Sequence, residues 1–200
     1  MYSPSLRRFC GFCGLGAPLL AGFAIWRAIS LAPSFSWQHN WLSDLGVMDG
    51  PAIWFNTGLV LAGIGFLFLL AGMQDYLPAR RAYRTSLVIL GASAVSLMGV
   101  GVFSEDAGRI HYYVSVLFFS LAGIGFIALG ISEWAAGVRT RGFAIAALGA
   151  GVAVSWAIPW PGTAGALPEA ASAVCIGAAA MVYGALLVGS VCPVKARLSS

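Results

Sequence analysis

Side chains able to do acid–base or nucleophilic chemistry are scarce in this 200-residue chain, and they recur beside a few loops. Ser43-Asp44, Ser104-Glu105, His111 with Ser115 one helical turn on, and Glu169 stand out among long apolar stretches. A serine, a histidine and an acid together are the parts of an activated nucleophile. Ser43, Ser104 or Ser115 would attack, His111 would take the proton, and Asp44 would orient the ring. No Gly-x-Ser-x-Gly elbow accompanies them. A catalytic zinc takes three protein ligands. With two histidines in the chain, His39, His111 and Asp44 would have to supply all three. The sequence therefore predicts no metal and no cofactor. Cys10 and Cys13 form a C-x-x-C, a metal, lipidation or redox motif in other settings. At the end of an apolar helix, with Cys192 closing the last one, buried thiols are the plainer reading.

The elements that must carry these residues follow from composition. Hydrophobic residues make up 60% of the chain and charged residues 9%, against about 25% charged in soluble domains. So few charges cannot cover a water-facing surface, and lipid must be part of the solvent. A helix crosses the hydrocarbon core with about 20 apolar residues. Six runs qualify, near 10–32, 52–73, 86–103, 112–133, 142–160 and 170–192. They are apolar all round and too long for barrel strands. The predicted fold is all-α: one transmembrane domain over 1–200, with six helices as three parallel-oriented hairpins. The first run is long for a signal peptide and no clear small-x-small cleavage site follows it, so it is read as a retained helix.

Lys and Arg set the expected orientation. Arg7, Arg8, Arg80, Arg81, Arg84, Arg139, Arg141, Lys195 and Arg197 fall on one side, and Arg27 and Arg109 on the other. The first side is expected to be cytoplasmic and to hold both termini, in the cell membrane. Most of the tryptophans lie towards the outer side, as an interfacial belt requires. The charges form no basic stripe, and no phosphate-binding or nucleic-acid motif is present, so nucleic acid is not an expected partner.

An internal repeat supports the hairpin reading. Leu61-Ala62-Gly63-Ile64-Gly65-Phe66 recurs as Leu121-Ala122-Gly123-Ile124-Gly125-Phe126. Ser43-Asp44 precedes the first copy much as Ser104-Glu105 precedes the second. Abundant small residues suit close helix packing in lipid.

The outer loops hold the candidate site. In loop one Trp37, Trp41 and Leu45 are four apart, which predicts a short interfacial helix with one apolar face. Pro51 and Pro168 suit helix starts. Asn56 lies one turn inside the second helix, and Glu169 lies where a helix dipole favours an anion. Each residue also has a structural use. Asp49, Asp106 and Glu169 suit helix caps, Asp44 suits pairing with Arg27 or Arg109, and Arg27 can snorkel to the surface. Polar groups at membrane depth usually face a cavity or one another. The acids stand at helix ends rather than near the midplane, which disfavours ion-coupled transport.

The run Leu42-Ser43-Asp44-Leu45-Gly46, with Phe55-Asn56, Gly99, Gly101, Phe103-Ser104-Glu105 and His111, resembles the domain-of-unknown-function 998 family of prokaryotic membrane proteins. The likeness covers nearly the whole chain, and the Ser-Asp-x-Gly element distantly resembles the Frag/DRAM/Sfk group. It implies a six-helix fold and an orientation, and no activity. The family pattern places an acid–arginine pair before the last helix. Here Pro168-Glu169-Ala170 keeps the acid without the arginine.

These readings converge on a module that binds a membrane lipid, a membrane-protein partner or a second copy of itself at the outer mouth. Its expected ligand-binding residues are Asp44, Asn56, Glu105, His111, Ser115 and Glu169. The alternative is an outer-face intramembrane hydrolase or transferase using His111, Asp44 and Ser43.

Overall fold

The computed structural model describes residues 3–76, 81–163 and 165–189, so Arg80, Cys192, Lys195 and Arg197 lie outside the described residues. Six helices are long and apolar enough to cross a membrane: α1 (Pro4–Ser30), α2 (Pro51–Met73), α3 (Arg81–Val102), α4 (Arg109–Ala135), α5 (Arg139–Ala157) and α6 (Ala166–Gly189). Several begin a few residues ahead of their apolar runs, with arginines in the first turns of α3, α4 and α5. Ser3 starts α1 by accepting from the Leu6 N–H at 3.3 Å, with Pro4 in the first turn. Gly50, at φ 92°, turns the chain into Pro51. The last helix starts at Ala166, so Pro168 sits within its first turn rather than opening it.

Consecutive helices pack side by side, and α6 returns to α1, which closes a ring. Glycine sets the spacing at the closure. A Cβ on Gly11 would stand 2.8 Å from the Gly184 carbonyl oxygen, and one on Gly184 would stand 2.8 Å from that of Gly11. The backbones of α1 and α6 therefore touch, as small-residue interfaces in lipid allow. Large apolar side chains point outwards, Phe143 at 73% exposure and Val88 at 72%. Inside, Phe66 of α2 stacks on Phe126 of α4, with ring centroids 6.1 Å apart and planes at 24°. These are the last residues of the two copies of the hexapeptide.

One end of the ring is tied by a buried ion pair that the sequence did not suggest. Glu133 is fully buried and takes Arg141 through two bonds, Nε to Oε2 at 2.7 Å and Nη2 to Oε1 at 3.0 Å. Arg141 Nη1 also donates to the Tyr76 hydroxyl at 2.9 Å. The chemistry-bearing loops lie at the opposite end.

Candidate functional site

Loop one builds the frame. It is not the helix that Trp37, Trp41 and Leu45 suggested. Trp41 is extended, and a 3-10 turn covers only Leu42–Gly46. Local polar bonds outcompete the helical register. The Asn40 side-chain amide takes the Ser36 N–H at 2.9 Å and donates to Asp44 Oδ2 at 2.5 Å. The same Asp44 oxygen accepts from the Trp41 N–H at 3.1 Å. Asp44 thus closes the turn as an Asx-type cap. Asn56 holds the turn from below, its Nδ2 donating to the Gly46 carbonyl at 2.9 Å.

The three loops at this end meet. Loop five docks on loop one through Thr163 N–H to Gln38 O at 2.8 Å and Ala166 N–H to Asn40 O at 3.1 Å. Glu169 reaches across from α6, and its Oε2 accepts the Leu42 N–H at 2.6 Å. From the third loop a carboxyl O–H of Glu105 donates to Asp44. Burial first, then the bond to Asp44 and the Asp44 charge, push the Glu105 carboxyl up to about 7. Glu169 also feels the charges of both acids. Neither Arg27 nor Arg109 forms an ion pair with Asp44, Glu105 or Glu169 among the described residues. Instead Arg27 donates to Ser30 Oγ at 3.2 Å and lies over the Trp54 ring. Asp106 accepts the Ser104 hydroxyl at 2.5 Å, a bond within its own loop.

His111 stands apart from Asp44, and no hydrogen bond joins the two among the described residues. Its Nδ1 lies 2.7 Å from the Phe103 carbonyl oxygen, and its Nε2 lies 3.3 Å from Ser115 Oγ. A carbonyl only accepts, so Nδ1 carries the proton. In the neutral ring Nε2 is then the acceptor, and the Ser115 hydroxyl donates to it.

Beneath this frame lies a cavity of about 490 Å³, within the span of small-molecule sites at about 300–1,000 Å³. Its wall comes from α1, α2, α3, α4 and α6, roofed by Trp37, Leu42 and Ser43. From Glu169 to Met181 on α6 it runs about 18 Å along the helix axis. Most of the wall is apolar. Ser43, Ser115 and Glu169 place polar atoms in it, all at one end, with the Trp37 indole nearby. The expected site residues therefore separate by role. Ser43, Ser115 and Glu169 face the cavity, and His111 stands behind Ser115. Asp44 and Glu105 brace the roof, and Asn56 clamps the turn without lining the cavity. No trio of His, Cys, Asp or Glu gathers in metal-binding geometry among the described residues. Sequence reasoning missed Asn40 and the Leu42 N–H, because their part depends on where the loops land.

Six apolar helices in a closed ring define a multi-pass membrane protein. The chain belongs to the protein family of unknown function DUF998, whose model matches residues 15–186. Searches of curated proteins and of solved structures return no match.

Proposed function

We propose that this protein binds a membrane amphiphile in the cavity, with its head at Ser43, Ser115 and Glu169 and its chain between α1 and α6. The carrying observation is the shape and polarity of the space: elongated, apolar for most of its length, polar at one end. An apolar chain gains by leaving water, and a few placed polar groups orient the head. The Lys and Arg distribution supports an outer position for that end, with both termini cytoplasmic in the cell membrane. The duplicated hexapeptide supports an origin from hairpins of like orientation, with Asp44 and Glu105 each delivered by a loop and Glu169 by the first turn of α6.

The test is mass spectrometry of lipids retained after purification in mild detergent. Parent protein is compared with Ala173→Phe, which fills the cavity one turn below Glu169, and with Glu169→Gln. We expect a defined amphiphile in the parent and its loss from Ala173→Phe. The same bulk membrane lipid in all three samples would count against the reading.

A second reading has one specific observation behind it, the contact of Ser115 with His111. Ser115 faces the cavity and His111 is oriented to take its proton, the arrangement of a nucleophile and base. In this reading Ser115 Oγ attacks an ester carbonyl of the bound amphiphile. Its proton passes through His111 Nε2 to the departing alkoxide, and water then frees the acyl group. A fluorophosphonate probe would label Ser115 in the parent and not in His111→Ala. Absence of labelling in the parent removes this reading and leaves the binding reading standing.

A further inference from the structure

We infer that the bound amphiphile carries a phosphate-free, hydrogen-bond-donating head, an ammonium joined directly to its apolar body. This deepens the binding reading above and rests on it.

The argument is the inventory of donors and acceptors at the polar end of the cavity. The Ser115 hydroxyl spends its proton on His111 Nε2, because His111 Nδ1–H is held by the Phe103 carbonyl. What Ser115 turns towards the cavity is lone pairs. One of the Glu169 oxygens is engaged with the Leu42 N–H, which leaves its other oxygen as the acceptor at this end of the cavity. Glu169 is 9% exposed, so water solvates it poorly. A ligand donor would add a hydrogen bond to this little-solvated carboxyl.

Charge points the same way. Among the described residues no Lys or Arg lines the cavity. Arg27 is committed to Ser30 and the Trp54 face, and Arg109 is exposed. Asp44 and Glu105 stand behind Glu169, and both act on it electrostatically. A phosphate at this end would meet carboxylates with no cation to balance it, in a medium where charges interact strongly. An ammonium would meet Glu169 as its counter-ion and the Ser115 lone pairs as further acceptors.

The experiment compares two probes that share a tail, hexadecylamine and hexadecyl phosphate. Binding is measured by native mass spectrometry on the full chain in dodecyl maltoside. We expect the amine to bind at least about tenfold more tightly than the phosphate. Glu169→Gln should remove that preference, while its amide oxygen still receives the Leu42 N–H. Ser115→Ala, away from the Leu42 bond, should weaken the amine alone. Ala173→Phe should weaken both probes. Phosphate binding equal to or tighter than amine binding in the parent, still lost in Ala173→Phe, overturns the head assignment and leaves the cavity reading intact. An amine preference unchanged in both Glu169→Gln and Ser115→Ala overturns it as well. Failure of both probes to bind the parent overturns the cavity reading together with this inference.

Discussion

Asp44 and Glu105 meet as a hydrogen-bonded pair of carboxyls, each contributed by a different interhelical loop at one end of the ring. They hold equivalent places in the repeat, since Ser43-Asp44 stands before one hexapeptide and Ser104-Glu105 before the other. The bond needs a proton on one of them, and burial beside Asp44 pushes the Glu105 carboxyl up to about 7.

That elevation has a definite sign. An acid whose pKa is raised on folding binds more protons in the folded state, so stability falls as pH rises between the two values. The unfolded value is about 4.3. Stability from this group is thus full below about 4.3 and is lost as pH climbs through about 7. We expect Glu105→Gln to flatten the decline over that window. Infrared spectroscopy checks the group directly. The part of the protonated carboxyl absorption at pH 5.5 that fades through pH 7 should be missing from the variant. A parent spectrum without that fading part defeats the assignment.

The turn at Leu42–Gly46 should depend on its contact with Asn56. Asn56→Ala removes the Nδ2 bond to the Gly46 carbonyl, at a cost of about 1–3 kcal/mol for the oxygen left unpaired. Gly46→Ala fails for a different reason, because its Cβ would stand 2.6 Å from Asn56 Oδ1. The double variant relieves that clash, so the two costs should sum to more than the double measures. Chemical denaturation in detergent decides this, and strict additivity would show that the contact carries no weight.

At the opposite end, the Glu133–Arg141 pair should be sensitive to loss of one member. Glu133 is fully buried, so Arg141→Met leaves a charge without its partner, at about 3–5 kcal/mol. Adding Glu133→Gln should recover part of that loss, because the stranded charge is gone. An Arg141→Met variant as stable as the parent would mean water reaches Glu133.

The stack of Phe66 on Phe126 should behave as the contact that joins the two hexapeptide copies. Phe126→Ala empties a site that is 1% exposed and should cost about 3–5 kcal/mol. A double-mutant cycle with Phe66→Ala should show about 0.5–1.5 kcal/mol of coupling beyond burial. Coupling near zero would assign the rings to ordinary packing.

Much of the architecture was legible in advance. Six spans can be read because transfer into lipid is a nearly local property of each run, and Pro51 marks where the second helix begins. The expected helix over Trp37, Trp41 and Leu45 failed because side-chain bonds from Asn40 and Asp44 hold their own backbone more favourably than an apolar stripe aligns it.

The sequence by itself determined the residue types at the site: an acid in each of three loops, and a histidine one turn from a serine. Only the tertiary structure decided their partners. Ser115 rather than Asp44 faces His111, Glu105 rather than an arginine faces Asp44, and Glu169 rather than Asn56 faces the cavity. The reason is that loop partners depend on how far each helix is rotated and shifted against its neighbours. Contacts such as Gly11 on Gly184 set that register, and they arise between residues far apart in the chain.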